Sequence, residues 1–338
     1  NSMATYRQLK GYNVKSVTSD PSNIKEGQIW YNSSELKIKV APLIESWSSG
    51  GNLNTGRTGL GGAGSQTAAL AFGGSVATPS TPQNPYKNES EEYDGTSWTE
   101  GNNLNQGRSS LAGNGTQTAG LACGGLPDGS NTTANSEEYN GTSWSEGNNL
   151  NTSSYSRSAA GPQTASLAFS GGVTSPSFSV QSFNEYYDGT SWSEQNDLNT
   201  ARYASSGCGS QTAALISGGL TATARTAVVE EWNGSSWSEV NDLPTSISQH
   251  SISGTQTAAL QAGGNDGSIT TTALNYDGTN WTTAPSIATA RSALAGGGEG
   301  ATQTSSIVFG GHITPAPTGY QQTEEFTSAA TTRSVDVS

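Results

Sequence analysis

Residues 103–147 read NLNQGRSSLAGNGTQTAGLACGGLPDGSNTTANSEEYNGTSWSEG, and this stretch decides the fold because it recurs along the chain. Tryptophans at 47, 98, 144, 192, 237 and 281 mark the recurrence. Each is followed six positions later by an aliphatic residue: Leu53, Leu104, Leu150, Leu198, Leu243 and Ile287. The gaps between the tryptophans are 51, 46, 48, 45 and 44 residues. Self-similarity at this period signals a repeat architecture. A unit so short cannot bury its own apolar faces, so the units must pack on one another.

Within each unit the same landmarks follow in order. Gln-Thr pairs begin at Gln66, Gln117, Gln163, Gln211, Gln256 and Gln303. Gly-Gly pairs begin at Gly73, Gly124, Gly171, Gly218, Gly263 and Gly310. Four short strands fit between the turn signals. Strand a is the small-residue run, as in RSSLAGNG, and strand b is the apolar run after Gln-Thr, as in AALAF. Strand c ends at an aromatic, as in SEEY, and strand d starts at the Trp. Asn-Gly or Asp-Gly between c and d tolerates the positive φ of a tight hairpin turn. Four antiparallel strands per unit make the blade of a β-propeller.

Glycine and alanine suit strand a, which would crowd the axis, while Trp and Tyr suit the wider gaps further out. Each such ring can bury about 150–250 Å². The segment at Trp47 has no complete unit before it, and the last unit reaches Glu324-Glu325-Phe326 without a Gly-Thr-Ser-Trp ending. The two chain ends therefore complete one blade between them. The expectation is an all-β, six-bladed β-propeller over 47–338, preceded by a leader over 1–46 that carries a β-hairpin.

Bulk composition agrees with a thin, repeated core. Hydrophobic residues are 31% and charged residues 12%, with 43 Gly, eight Trp and twelve Tyr. Disorder goes with high charge and few aromatics, which is not this pattern. The net charge is −13 and uneven. Residues 1–46 hold six Lys/Arg against four Asp/Glu, and 47–338 hold eight against twenty-three. An acidic body repels phosphate backbones and anionic lipid, so no nucleic-acid partner is expected. No apolar run reaches the length of a membrane span, so neither is membrane insertion. The start, NSMATYRQLKGYNVKSV, lacks the apolar stretch of a secretory signal. Met3, the sole methionine, reads as the native start, with Asn1 and Ser2 outside it. Cys123 and Cys208 occupy non-equivalent positions and read as unbridged, small buried residues.

One pairing is readable by comparing units. Arg57, Arg108, Arg202 and Arg291 lie four positions after the aliphatic anchor, where the third and fifth units have Ser154 and Ile247. In the same four units the residue before the strand-c aromatic is Glu92, Glu138, Glu231 or Glu325, and elsewhere it is Tyr186 or Asn275. Joint presence and absence predicts Glu–Arg pairs tying strand a to strand c in four blades: Arg57–Glu92, Arg108–Glu138, Arg202–Glu231 and Arg291–Glu325.

The Gly-Gly pair, the downstream aromatic, the Trp and the Arg opening the next unit resemble kelch-type propeller repeats over about residues 47–335. The wording GTQTA…GG…EEYDGTSW is similar to kelch-like proteins of tailed phages. DPSNIKEGQIWYNSSELKIKV (20–40) is similar to a β-hairpin leader on phage tail and fibre proteins, with strands Ile29–Asn32 and Leu36–Val40 turning at Ser33–Glu35. That resemblance implies a virion-associated surface protein made in the host cytoplasm, its leader contacting other virion proteins and its propeller meeting a host-surface glycan or protein. An intracellular kelch-type protein-interaction scaffold is the alternative reading, and a carbohydrate-active enzyme a third.

Catalysis needs polar groups that break the repeat symmetry at one place. His250 and His312 lie in different units with no ligand-spaced partners, so neither a zinc site nor a triad is expected. DGTSW is one residue too short for the Asp-box turn of sialidase-type propellers. Glu91, Glu137, Glu185, Glu230 and Glu324 recur as architecture, and Glu100, Glu146, Glu194 and Glu239 read as guards of an outer edge strand. No Gly-rich segment has the helix and Lys-Ser/Thr ending of a phosphate cradle. The expectation is a non-enzymatic protein with no catalytic residues, no metal and no cofactor.

Binding has a more definite place. In a propeller the a–b and c–d turns share one face, and the b–c loops and d–a links share the other. The first face is nearly uniform here; the second varies in length and wording. Its distinctive residues are Pro85, Tyr86, Lys87, Asp128, Phe178, Arg225, Asp266, His312 and Tyr320. Loops that differ on a rigid scaffold are where recognition resides, so these are the candidate ligand-binding residues. Asn102, Asn148, Asn196 and Asn241 repeat in the d–a links and read as side-chain-capped turns.

Overall fold

The structure, a computed structural model, describes residues 14–76, 85–314 and 319–335. Met3 and positions 77–84 of the first b–c loop lie outside them. The chain divides into two compact units, Trp47–Phe326 and Asn1–Ser46 together with Thr327–Ser338.

The larger unit is an all-β propeller of six four-stranded sheets, one per repeat. Blade 1 is typical. Strand a (Gly61–Ser65), strand b (Ala68–Phe72), strand c (Ser90–Tyr93) and strand d (Trp98–Glu100) pair antiparallel in that order. The inner strands of the other blades are Ala112–Thr116, Ser158–Ala160, Ser206–Ser210, Ser251–Thr255 and Ala295–Gly296. Each inner strand contacts the next, and the sixth contacts the first. Blade 6 takes its outermost strand, Leu43–Ser49, from the start of the chain, paired with Thr323–Ala330 from its end. The expected joining of the two ends in one blade is what the sheet order records.

Packing repeats the same cycle. Six apolar clusters occur, and each lies between two neighbouring blades. Blades 6 and 1 share Phe309, Ile307, Leu53, Tyr93 and Trp98; blades 5 and 6 share Leu260, Ile287, Val308 and Phe326, with Trp47 packed against them. The aliphatic residue six positions after each Trp is buried. Trp98, Trp144, Trp192 and Trp237 are buried too, whereas Trp47 and Trp281 are half-buried. A strand-b Phe meets the next blade's Trp at 4.9 Å (Phe72–Trp144), 5.0 Å (Phe169–Trp237) and 4.8 Å (Phe309–Trp98) between ring centroids. At about 25 cal/mol per Å², rings buried in this way supply the main force between blades.

Polar landmarks of the repeat turn out to be staples between blades. Gln117 Nε2 donates to Tyr93 O (2.7 Å) and Ala69 O (3.0 Å) of the preceding blade. Gln163, Gln211, Gln256 and Gln303 repeat this, and Gln66 bonds Phe326 O across the closing interface. In five units the second glycine of the Gly-Gly pair donates its N–H to the following blade, as Gly74 does to Arg108 O (2.9 Å) and Gly311 to Arg57 O (2.8 Å); in the third unit the first glycine, Gly171, does so, to Arg202 O (2.9 Å). Both glycines have positive φ, 63° and 93° at Gly73 and Gly74, and a Cβ on Gly73 would lie 2.8 Å from Arg108 O. Glycine meets both requirements without strain; in blade 3 Ser170, with φ 63°, stands at the position of Gly73.

Closest to the axis lies a belt that no side-chain pattern announces. Gly59, Ser110, Ser156, Ala204, Gln249 and Ala293 occupy equivalent positions, all with φ between 50° and 60°. Ser110 N donates to Gly59 O (2.7 Å), Ser156 N to Ser110 O (2.7 Å) and Ala204 N to Ser156 O (3.1 Å). Gln249 N then donates to Ala204 O (2.8 Å), Ala293 N to Gln249 O (2.8 Å) and Gly59 N to Ala293 O (3.0 Å). Six backbone hydrogen bonds thus form a closed circle, one from each blade to its neighbour.

The expected Glu–Arg pairs need correction by one residue. Arg57 pairs with Glu91 (2.7 Å), not Glu92; Arg108 with Glu137 (2.9 Å), not Glu138. Arg202 pairs with Glu230 (3.0 Å), not Glu231, and Arg291 with Glu324 (2.8 Å), not Glu325. A fifth pair, Arg157–Glu185 (2.8 Å), serves blade 3 from three positions further along. Side chains alternate across a strand, so adjacent glutamates face opposite ways. The first glutamate faces the buried Arg, and its second oxygen accepts a backbone N–H, as from Asn54 (2.6 Å) or Asn105 (2.6 Å). In blades 2 and 4 the charges are close but out of line for a hydrogen bond. Burial pulls the Arg57, Arg108, Arg202 and Arg291 guanidinium pKa values below the usual range, against the opposing pull of their glutamates.

The second glutamate faces the next blade. Glu92 accepts from Tyr139 Oη, Glu138 from Tyr187 Oη, Glu231 from Tyr276 Oη (3.0 Å) and Glu325 from Tyr93 Oη. Burial and the carboxylate contact together push Tyr93 up to about 12. Where the glutamate is replaced, the facing phenol is replaced too. Tyr186 stands opposite Trp232, whose Nε1 donates to Tyr186 Oη at 2.8 Å, and Asn275 belongs to the blade before Phe326.

The smaller unit contains a four-stranded sheet of its own. Ile29–Asn32 and Lys37–Val40 form the expected hairpin, flanked by Lys15–Val17 in parallel and by Arg333–Val335 antiparallel. The domain boundary expected at 338 therefore moves: residues 327–338 group with the leader. Trp30 is fully buried, and Asp20 accepts from Trp30 Nε1 and Asn32 Nδ2, both at 2.9 Å. These two hydrogen bonds, aided by Lys39, hold the Asp20 carboxyl below the usual range.

Candidate functional site

The two faces of the propeller differ in how fully they are satisfied. On the a–b/c–d face, Gly95 of the c–d turn lies against Thr67 of the a–b turn. Each c–d turn is closed by its own Asp or Asn. Asp94 Oδ1 accepts from Thr96 N and Ser97 N, both at 2.8 Å, and Asp188 and Asp277 do the same. Those backbone hydrogen bonds hold the three carboxyls below their usual range. Asn102, Asn148, Asn196 and Asn241 also have internal partners: each donates to a c–d turn carbonyl of the next blade. In blades 1 to 5 the c–d turns on this face are alike and internally bonded.

The b–c face carries the variation, and the nine candidate residues fall around its rim without converging on one point. Pro85 O accepts from Val76 N, and Lys87 pairs with Glu89 at 3.3 Å. The Tyr86 hydroxyl rests against Gly129, beside Asp128. Asp128 closes its own turn, accepting from Asn131 Nδ2, Asn131 N and Ser130 N, which together lower its pKa. Asp266 accepts from Ser268 N at 3.3 Å. His312 is bridged to Ser292 by backbone, and the Tyr320 ring sits 5.8 Å from the Arg291 guanidinium.

Phe178 and Arg225 are placed differently. Blade 3 has a b–c loop folded into an extra hairpin, Gly172–Val173 with Ser179–Val180, and Phe178 stands on it. Of the exposed large apolar side chains among the described residues, Phe178, at 51%, belongs to the propeller and the others to the smaller unit. Its ring meets Tyr203 edge-on at 5.3 Å, and Tyr203 meets Tyr155 at 5.9 Å. Gly172 makes room for this cluster, since a Cβ there would lie 3.0 Å from the Tyr155 ring and 3.3 Å from that of Phe178. Arg225 is one ladder away: Leu220 bridges Tyr203 on one side and Arg225 on the other. Arg225 is half-exposed, and among the described residues it makes no ion pair.

Tyr155 and Tyr203 were not among the expected residues, although a sequence signal exists. The position after the opening Arg is Thr58, Ser109, Ser248 or Ser292 in four units, and Tyr155 or Tyr203 in the other two. Each Tyr adjoins a belt residue, Ser156 or Ala204.

Inside the belt a cavity of about 610 Å³ lies between the inner strands, lined by Asn114, Ser158, Ser206, His250, Ser251 and Ser253 among others. Its described lining holds one carboxylate, Glu299. The segment around Glu299 crosses from blade 6 to blade 2, where Glu299 N donates to Gly115 O (2.9 Å). His250 is buried, with Nε2 at 2.9 Å from Ser217 Oγ, and burial with Arg202 nearby lowers its pKa to about 3. Burial likewise pushes the Cys123 and Cys208 thiols up to about 11 and about 12. In comparisons with known proteins, the chain matches no family model and no curated protein.

Proposed function

We propose that this protein is a non-enzymatic component of a phage particle, in which the smaller unit attaches to other virion proteins and the b–c face adheres to a host-surface glycan or protein. The observation that carries the reading is the asymmetry of the two faces. One repeats the same c–d turn in five blades, each closed by its own Asp or Asn. The other differs in every blade, on a ring closed by hydrogen bonds at every interface. A rigid scaffold with one variable face is built for recognition. The phage setting rests on the resemblance of the repeats to kelch-like phage proteins and of residues 20–40 to fibre leaders. The polar groups do not favour glycoside hydrolysis, which needs two facing carboxylates, whereas the described cavity lining holds Glu299 alone.

Mass spectrometry of purified particles, combined with binding of the labelled protein to host cells, tests this reading. The protein should appear in the particle at stoichiometric level and decorate the cell surface. Its absence from particles, with recovery in soluble host-cell complexes, would favour an intracellular interaction scaffold instead.

A further inference from the structure

We propose that the patch formed by Phe178, Tyr155, Tyr203 and Arg225 on blades 3 and 4 is a binding site for an acidic saccharide, one bearing a carboxylate or sulfate. This inference rests on the adhesion reading above and assigns its ligand class. Three aromatic rings meet here, at 5.3 and 5.9 Å between centroids, with Phe178 standing half out of the surface. The C–H face of a sugar ring carries partial positive charge and packs on the negative face of an aromatic ring. A stacking platform of this size suits one or two sugar rings.

A protein partner fits less well. Stable protein interfaces cover about 800 Å² per side and are anchored by several apolar side chains. The described propeller surface offers one exposed large apolar residue, Phe178.

Charge gives the second half of the specificity. Seven cationic residues lie between 47 and 326: Arg57, Lys87, Arg108, Arg157, Arg202, Arg225 and Arg291. Among the described residues, six of them pair with a glutamate and Arg225 does not. Its Nε is buried without a hydrogen-bond partner, in a body whose net charge is strongly negative. A guanidinium left unpaired among so many carboxylates is free for an anionic ligand, and its planar fork matches a carboxylate or sulfate. The symmetry of the repeat strengthens the point. Aromatics at the Tyr155 and Tyr203 positions, the extra hairpin under Phe178 and the unpaired Arg225 all fall in two adjacent blades.

The test uses the full chain on an array of immobilised saccharides, in which each carboxylate-bearing oligosaccharide is matched by its methyl ester and each sulfated one by its desulfated form. Wild type, Phe178→Ala, Arg225→Gln and Arg225→Lys are compared, with circular dichroism confirming the fold. Wild type should prefer acidic over neutral forms by at least tenfold. Phe178→Ala and Arg225→Gln should each lose at least tenfold, and Arg225→Lys should retain part of the preference. Equal binding of neutral forms, or unchanged binding by both Phe178→Ala and Arg225→Gln, overturns the site while leaving adhesion intact. Protease-sensitive adhesion to cells with no saccharide bound overturns the ligand class in favour of a protein. Failure to bind cells or saccharides at all removes the adhesion reading itself.

Discussion

Replacing Glu91 by Gln, with Glu92→Gln as its neighbour control, separates the two roles that adjacent glutamates play in strand c. Arg57 is fully buried and has three strong partners: Glu91 Oε1 at 2.7 Å, Glu89 O at 2.6 Å and Gly73 O at 3.1 Å. Glu91 is 1% exposed, and its other oxygen accepts from Asn54 N at 2.6 Å. Glutamine removes the charge and turns one acceptor into a donor facing a guanidinium. Breaking one side of a buried pair costs about 3–5 kcal/mol, because the remaining charge stays desolvated. Glu92 is half-buried and accepts one hydrogen bond, from Tyr139 Oη. Its loss should cost about 1–2 kcal/mol. Urea unfolding followed by tryptophan fluorescence would measure both, together with Arg57→Met and the double replacement Arg57→Met/Glu91→Gln. That double change should cost less than Glu91→Gln plus Arg57→Met. A Glu92→Gln loss equal to or larger than that of Glu91→Gln would refute the assignment of the pair, and strict additivity would refute the coupling.

Two further outcomes follow from the same contacts. His250 has its pKa lowered to about 3 by burial, against 6.5 when exposed. A depressed folded value means the stabilising contribution is complete above pH 6.5 and fades as pH falls towards 3. About 2 kcal/mol should therefore go between pH 7 and pH 5, a window above the carboxylate range, and His250→Gln should lose that dependence. An unchanged pH profile in the variant would contradict this. Trp232→Tyr combined with Tyr186→Glu should rebuild between blades 3 and 4 the phenol–carboxylate contact found at four other interfaces. Thermal melts should place the double variant above either single one, by coupling of about 1 kcal/mol; two independent losses would count against the interface network.

Most of the architecture is readable from residues alone, because the features that build blades are side chains with fixed spacing. The Trp and aliphatic anchors, the Gln-Thr and Gly-Gly landmarks and the split sixth blade all lead to six sheets in a ring. The pairing failed by one position for a physical reason. Strand c reads Glu-Glu before its aromatic in four blades, so residue type cannot say which glutamate faces inward. The gap at Ser154 also concealed Arg157, which reaches Glu185 from a different point on the backbone. The co-variation of the second glutamate was real, but its partner is the next blade's aromatic: Tyr139, Tyr187, Tyr276 and Tyr93, with Trp232 and Phe326 in the two exceptions. Arg333–Val335 has no repeat signature, so nothing in its letters assigns it to the leader sheet. The belt is made of backbone and leaves no mark on composition.

The variable face was located from loop lengths, while the cluster on it was only half seen. Phe178 and Arg225 stand out as departures in loops. Tyr155 and Tyr203 sit in the regular part of the repeat, where the eye expects conservation of pattern, and only the unit-by-unit comparison isolates them. Their meeting with Phe178 depends on the hairpin Gly172–Val173/Ser179–Val180, a tertiary feature of one blade.

Hydrogen exchange at the six belt amides, those of Gly59, Ser110, Ser156, Ala204, Gln249 and Ala293, tests ring closure most directly. A circle with no loose end can release these protons only when the whole propeller unfolds, so all six should exchange slowly, with similar free energies close to the global value. Fast exchange at Gly59, whose N–H bonds Ala293 O, with the other five protected, would mean an array open between the first and sixth blades.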